Sequence, residues 1–126
     1  MNVVDSSAWL EYFAGSENAA FFAQAIEDSE QLLTPVICIY EVFKHILLQR
    51  GVSAAQTSVG DMFNGQVINI DASLALSAAQ ISAELKLPMA DSMILAVVHL
   101  YQAELWTQDE HFKGMERVRF IEKRIE

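Results

Sequence analysis

The feature that most restricts the fold of this chain is an alternation of short apolar segments with longer helical ones. Apolar segments of three to five residues, flanked by turn or cap residues, are typical of buried strands. Between them, apolar residues recur at helical spacing. This alternation predicts an α/β fold, a three-layer α/β/α sandwich whose parallel sheet has four or five short strands joined by right-handed crossovers.

The predicted elements follow from these patterns and from cap residues. We predict strands at residues 2–4, 31–33, 66–70, 104–107 and 118–120. We predict helices from Asp5 or Ser6 as cap to near Gly15, and at 17–30, 35–50, 54–63, 72–87 and 90–101. In the 17–30 helix, Ala20, Phe21, Ala25 and Ile26 are expected to face inward. Thr34 is expected to cap the 35–50 helix, with Pro35 at its first position.

Length and composition place the chain among folded globular proteins. Its 126 residues suit a single domain, 1–126, and a hydrophobic fraction of 52% argues against disorder. The most apolar segment, residues 92–100, is too short to span a bilayer, so we expect no membrane association. The N-terminus lacks a secretory pattern, and the one cysteine, Cys38, lies in an apolar run. We therefore expect a buried structural thiol and a cytoplasmic protein.

The charge is acidic overall and unevenly distributed. A formal net charge of −9 argues against nonspecific binding to a phosphate backbone. Five of the eight Lys and Arg residues nevertheless lie after residue 112. They are Lys113, Arg117, Arg119, Lys123 and Arg124. This basic region is either a solvated end of the chain or a patch that meets phosphate or an acidic partner.

Two carboxylates follow predicted strands. Asp5 comes directly after the first strand, and Asp109 lies two residues beyond Thr107, which ends the fourth. Parallel strands bring their carboxyl ends to one edge of the sheet, where ligands bind, so both carboxylates are expected there. Taken alone, each is also explained as a helix cap, and Asp91 as an acidic residue in a first helical turn.

Glu41 has no such local explanation. It lies in the middle of an apolar helical stretch, where the alternative is a surface pair with Lys44. If Asp5, Glu41, Asp91 and Asp109 meet at one edge, their repulsion is costly without a cation. Hard carboxylate oxygens favour Mg²⁺ or Mn²⁺, which polarises a phosphoryl oxygen and activates water. The constellation therefore indicates a site for one or two divalent ions that activate water and polarise a phosphoryl oxygen.

Four segments together resemble the PIN domain, in the order and spacing of VapC-type toxins. The segments are VDSSAW at 4–9, TP at 34–35 with EV at 41–42, LPMADSMILA at 87–96, and LWTQDEHF at 105–112. The last two are the more specific. The resemblance implies a magnesium-dependent endoribonuclease toxin, with Mn²⁺ as a substitute, whose RNA cleavage is neutralised by a cognate antitoxin.

The resemblance also implies roles for individual residues and partners. By position it assigns the metal and catalytic site to Asp5, Glu41, Asp91 and Asp109, with Asp5 and Asp91 as the most direct ligands. Ser6 and Thr107 match small hydroxyl positions that support such a site, although both also suit ordinary caps. A homodimer or a toxin–antitoxin hetero-oligomer is expected, with a basic antitoxin residue reaching the acidic pocket.

Other hypotheses stay open at this point. A phosphatase or a phosphoreceiver also places an Asp after its first strand. Such proteins have acidic residues at the positions that Val3, Val4 and Ser7 occupy in this chain. A catalytically weak or inactive PIN-like module that binds a basic partner peptide would keep the acids without cleavage. Among the histidines, we expect His99 in the core and His111 at the surface, and the alternative for His111 is a contact with substrate beside Asp109.

Overall fold

The computed structural model describes residues 1–124 and contains a five-stranded sheet in which all neighbouring strands are parallel. The strands are β1 (Asn2–Val4), β2 (Leu32–Pro35), β3 (Gln66–Ile68), β4 (Glu104–Thr107) and β5 (Val118–Phe120). The helices are α1 (Ser6–Ala14), α2 (Ala19–Ile26), α3 (Val36–Arg50), α4 (Val52–Met62), α5 (Ala72–Leu85) and α6 (Met89–Tyr101). The helices flank the sheet in a three-layer α/β/α arrangement, as predicted.

The order of the strands fixes where a ligand can bind. It is β3-β2-β1-β4-β5, so the chain moves from β1 toward one edge and later returns to β4 on the other side of β1. The gap beyond the carboxyl ends of β1 and β4 is the topological switch point, where open α/β sheets bind ligands. A phosphoreceiver has the order 2-1-3-4-5 instead, so that interpretation of the sequence is wrong.

The core forms where the central strands meet the helices. Val3, Val4 and Leu105 are fully buried, as expected for parallel strands covered on both faces. Phe22 and Trp9 are the largest buried side chains contributed by α2 and α1. Cys38 is also fully buried, and burial raises the pKa of its thiol well above the ordinary value, which confirms the predicted structural role.

Two predicted boundaries were wrong for local reasons. Thr34 does not cap α3; it extends β2 together with Pro35, because a proline disfavours helical backbone in the residue before it. The predicted 17–30 helix is shorter, since it ends at Ile26 and a separate 3₁₀ turn follows at Ser29–Gln31. Its buried face also differs, with Phe22 inside and Ala20 exposed.

Smaller differences concern the ends of other elements. Strand β3 ends at Ile68, and α5 ends at Leu85 because Lys86 adopts a left-handed conformation. His99 is exposed near the end of α6, which corrects its predicted place in the core. Within residues 1–124, no helix is both long and apolar enough to cross a membrane.

Candidate active site

Asp5 is a buried carboxylate at the junction of β1 and α1. Its backbone and side chain cap α1, and Oδ1 accepts hydrogen bonds of 3.0 Å from the Ala8 N–H and from the Ser7 hydroxyl. Burial raises the pKa of Asp5 to about 7, although its hydrogen bonds oppose this shift. Asp5 is therefore both the predicted helix cap and a predicted site residue, and its buried position disfavours the charged carboxylate.

Thr107 and Asp109 approach Asp5 from the end of β4. The Thr107 hydroxyl donates a hydrogen bond of 2.8 Å to Oδ2 of Asp5 and accepts one of 2.9 Å from the Asp109 N–H. Asp109 caps the short 3₁₀ turn Glu110–Phe112, in which Phe112 is fully buried. The charge of Asp109 also contributes to the raised pKa of Asp5, so the two carboxylates belong to one electrostatic cluster.

Asp91 enters this cluster from the first turn of α6. Its Oδ2 lies 2.8 Å from Nδ1 of His111, and the same nitrogen lies 3.1 Å from Oδ1 of Asp109. Burial raises the pKa of Asp91, and the charges of Asp109 and Glu41 raise it further, while His111 opposes them. The Asp109 carboxylate in turn raises the pKa of His111. One imidazole therefore bridges two of the predicted site carboxylates.

Glu41 completes the acidic cluster from α3. The Ser6 hydroxyl donates a hydrogen bond of 2.6 Å to Oε1 of Glu41, which joins the start of α1 to the middle of α3. Lys44 lies over the ring of Tyr40 at 5.9 Å, so it does not form the surface pair considered as an alternative. Glu41 thus faces the cluster rather than a neighbouring cation on its own helix.

The four carboxylates line one cleft at the switch point. Its volume is about 280 Å³, and water takes up about 30 Å³ per molecule in the liquid, so a hydrated ion and a phosphate group fit. The described residues that line it are Asp5, Ser6, Ser7, Leu10, Glu41, His45, Asp91, Ile94 and Asp109. His45 is the one basic side chain among these lining residues.

The side chains of this cleft fit a divalent cation. Ligand atoms of Asp91, Asp109 and His111 lie within 4.8 Å of one another, and the nearby Asp5 is buried in a way that raises its pKa. Carboxylate oxygens are ligands that Mg²⁺ and Mn²⁺ accept. Burial, together with the charge of Asp109, raises the pKa values of Asp5 and Asp91, and a cation at this place would favour the charged carboxylates again.

A buried amide network supports the segment that carries Thr107 and Asp109, and nothing in the sequence pattern pointed to it. Gln108 accepts a hydrogen bond of 3.0 Å from Nδ2 of Asn18 and donates one of 3.3 Å to Oε1 of Glu11. The same Asn18 amide donates to the Glu122 carbonyl at 3.0 Å. The network ties α1, the start of α2 and the segment after β5 to the rim of the cleft.

Two of the basic residues near the C-terminus, Arg117 and Arg119, make their contacts away from the cleft. Arg119 pairs with Glu104 at 2.6 Å and stacks over Trp106 at 4.8 Å. Arg117 donates to the Gln102 carbonyl. The contacts with Glu104 and Gln102 lie at the amino end of β4, while the cleft lies beyond its carboxyl end. These two arginines therefore do not form a phosphate-binding wall of the cleft.

The fold and the cleft define an α/β domain whose acidic side chains cluster at the switch point of a parallel sheet. The family model of the PIN domain matches residues 3–118, and the chain belongs to the PIN domain family. Members of this family are generally nucleases. No curated protein sequence matches the chain.

Several solved structures share the fold along nearly the whole chain. A toxin–antitoxin complex from Klebsiella pneumoniae is 24% identical with a TM-score of 0.77, covering 94% of this chain and 96% of that one. The sarcin–ricin loop cleaving toxin VapC20 from Mycobacterium tuberculosis is 19% identical with a TM-score of 0.76, covering 94% of this chain and 99% of that one. DNA-bound VapBC from Salmonella typhimurium is 16% identical with a TM-score of 0.74, covering 96% of each chain. The fold expected from the motifs is thereby confirmed.

Proposed function

We propose that this chain is a metal-dependent endoribonuclease toxin that hydrolyses RNA phosphodiester bonds, with Mg²⁺ or Mn²⁺ as its cofactor. The observation that carries the proposal is the convergence of Asp5, Glu41, Asp91 and Asp109 on one cleft at the switch point. Family membership and the fold shared with VapC20 support RNA as the substrate class. An acidic protein of net charge −9 needs a cation at this cleft before it can accept an anionic backbone.

Each site residue has a role that its contacts support. Asp91 and Asp109 would hold the ion, and Asp5 would complete the charge of the site from its buried position. Ser6 fixes Oε1 of Glu41, which leaves Oε2 to orient a water or accept its proton. Thr107 orients Asp5. When bound, the ion supplies Lewis acidity toward the phosphoryl oxygen and lowers the pKa of water.

We also propose that a cognate antitoxin neutralises the enzyme in the cytoplasm. A groove between α1, α3 and α4 adjoins the cleft, and Leu10 and His45 line both. Phe13 and Ile46 give this groove an apolar wall. A partner helix with an apolar face can lie there, and a Lys or Arg at its end would meet the carboxylates. The related structures that contain toxin–antitoxin complexes support this assignment.

The test of the proposal is RNA cleavage by the purified protein and growth arrest after induced expression. We expect cleavage with Mg²⁺ or Mn²⁺, none with a chelator, and loss of both activities in Asp5→Asn and in Asp91→Asn. Asp28→Asn removes an exposed carboxylate elsewhere and serves as the matched control. If Asp5→Asn and Asp91→Asn cut RNA at the wild-type rate, the proposed site is wrong.

A second candidate is a weak or inactive PIN-like module that binds a basic partner peptide. The observation that favours it is the scarcity of basic side chains around the cleft, where His45 is the one basic residue among the described lining side chains. Calorimetric titration with Mn²⁺ separates the two functions. A saturable metal site lost in Asp91→Asn supports the nuclease, whereas peptide binding without metal binding supports the module.

A further inference from the structure

His111 occupies an unusual place for an exposed residue. Its side chain is 55% exposed, yet Nδ1 lies 2.8 Å from Oδ2 of Asp91 and 3.1 Å from Oδ1 of Asp109. The 3₁₀ turn that carries it is anchored on both sides, by the Asp109 cap and by the buried ring of Phe112. The imidazole is therefore held over the rim of the cleft by its backbone.

The spacing of these atoms suits direct coordination. Around an octahedral ion with bonds of about 2.1 Å, adjacent ligand atoms lie about 3.0 Å apart. The two distances from Nδ1 match this value, and ligand atoms of all three residues lie within 4.8 Å of one another. A proton shared between Nδ1 of His111 and the two carboxylates also fits this spacing. A bound ion would replace that proton, while Nε2 would keep its own proton and face solvent.

We propose that Nδ1 of His111 is a direct ligand of the metal ion, together with Asp91 and Asp109, and that the site prefers transition-metal ions over Mg²⁺. The inference rests on the proposed function, because it concerns the ion of the same cleft. A nitrogen ligand contributes little for Mg²⁺, which keeps oxygen ligands and waters. The contribution of a nitrogen ligand to binding is larger for Mn²⁺ and larger again for Co²⁺, because the affinity for such ligands rises in this order along the first transition row.

This assignment separates His111 from the other histidines of the described chain. His45 also lines the cleft, but it has no contact with a carboxylate of the cluster comparable with those of His111. His99 is exposed at the far end of α6, beside the groove between α5 and α6. The three residues therefore provide one proposed ligand, one neighbour and one distant control.

The experiment titrates the purified protein with Mg²⁺, Mn²⁺ and Co²⁺ by calorimetry and records pulsed electron paramagnetic resonance of the Mn²⁺ complex. We expect a ¹⁴N coupling from an imidazole in the wild type, in His99→Ala and in His45→Ala, and none in His111→Ala. We expect His111→Ala to weaken the binding of Mn²⁺ by at least about tenfold and that of Co²⁺ by more, since losing even a residue that supports a ligand lowers metal affinity by roughly 10–100-fold. The binding of Mg²⁺ should weaken far less.

The outcomes distinguish this inference from the proposed function. Two results would overturn the role of His111 and leave the proposed nuclease intact. One is that the wild type binds Mn²⁺ without ¹⁴N coupling, and the other is that the coupling is lost in His45→Ala rather than in His111→Ala. Wild-type protein that binds none of the three ions overturns both. His111→Asn keeps a polar group near the carboxylates, so an unchanged preference for Co²⁺ over Mg²⁺ in that variant would also contradict nitrogen coordination.

Discussion

The Thr107 hydroxyl donates a hydrogen bond of 2.8 Å to the Asp5 carboxylate, across 102 residues of sequence. Thr107 is the last residue of β4, and Asp5 directly follows β1, the parallel strand that pairs with β4. The same hydroxyl accepts the Asp109 N–H, so one oxygen sets the position of two acidic residues. Fixing such carboxylates before an ion arrives lowers the cost of ordering them when it binds.

Replacing Thr107 by Val tests this link with almost no change in shape. We expect Thr107→Val to weaken Mn²⁺ binding by about tenfold, because Asp5 loses its hydroxyl donor. We also expect a loss of about 1–3 kcal/mol in the free energy of unfolding, because the Asp109 N–H loses its acceptor. Calorimetric titration and urea unfolding measure the two effects.

Two controls accompany this variant. Thr107→Ser keeps the hydroxyl and should retain metal affinity, whereas Thr57→Val removes an exposed hydroxyl on α4 and should leave it unchanged. Wild-type Mn²⁺ affinity in Thr107→Val would show that the hydroxyl does not orient Asp5.

The raised pKa of Asp5 makes the stability of the metal-free protein depend on pH. The folded protein keeps a proton on Asp5 up to about pH 7, whereas the unfolded chain releases it near the ordinary value of 3.8. Folding therefore binds a proton between these values, so Asp5 lowers the free energy of unfolding as pH rises from about 4 to 7. Each pKa unit corresponds to about 1.4 kcal/mol, so the full loss reaches a few kcal/mol above pH 7.

Asp5→Asn removes this dependence. We expect the variant and the wild type to have similar stability near pH 4, and the variant to be more stable at pH 8 in the presence of a chelator. Adding Mn²⁺ at pH 8 should stabilise the wild type more than the variant, because the variant keeps Asp91 and Asp109 but lacks the charge of Asp5. Asp28→Asn is the surface control. Urea unfolding that gives the same difference between Asp5→Asn and wild type at both pH values would refute the assigned burial effect.

Much of the fold was predictable because its signals are local. Short apolar segments predicted all five strands, and the helix end at Gly15 and the cap at Asp5 lie where the sequence placed them. The sheet-edge rule then brought Asp5 and Asp109 together, since it depends only on parallel strands. Glu41 was indicated by the absence of a local partner, and its contact with Ser6 gives it one from another helix.

The contacts that the sequence did not predict join residues that are distant along the chain. The sequence around each of these residues carries no motif or periodicity that indicates a contact. Gln108 and Asn18 are polar residues next to turns, where exposure is the ordinary expectation. Their burial depends on the packing of α1 and α2 against the end of β4, and no periodicity encodes the pairing of two amides. The bridge from His111 to Asp91 is similar, because it depends on how the 3₁₀ turn meets α6.

The amide network provides a third prediction. Gln108→Met has a similar volume but no amide, so it removes the acceptor for Asn18 and the donor for Glu11. We expect the free energy of unfolding to fall by about 2–3 kcal/mol, because buried partners are left unsatisfied. Gln24→Met, at an exposed position of α2, should change stability by less than about 0.5 kcal/mol.

A double-mutant cycle assigns this loss to the network. Combining Gln108→Met with Asn18→Ala should cost less than the sum of the two single changes, by about 1 kcal/mol, because both remove the same hydrogen bond. Urea unfolding of the four proteins provides the measurement. Additive losses would show that the two amides do not act together.

Ser6 gives the fourth prediction, because its hydroxyl contacts Glu41 without touching the other three carboxylates by hydrogen bond. Ser6→Ala should lower the rate of RNA cleavage by about tenfold, since a hydrogen bond to a charged group contributes roughly 1.5–3 kcal/mol and part of this is recovered by water. The half-buried position predicts little change in stability. Ser16→Ala is the exposed control.

A second experiment tests whether Ser6→Ala lowers the cleavage rate through Glu41 or by another route. If Ser6 acts only by orienting Glu41, then Ser6→Ala should have no further effect on cleavage in a Glu41→Gln background, where the carboxylate is already absent. Single-turnover cleavage of one labelled RNA by all four proteins measures this coupling. Independent, multiplicative losses would mean that Ser6 contacts the substrate or its water directly, and that Glu41 is oriented by α3 alone.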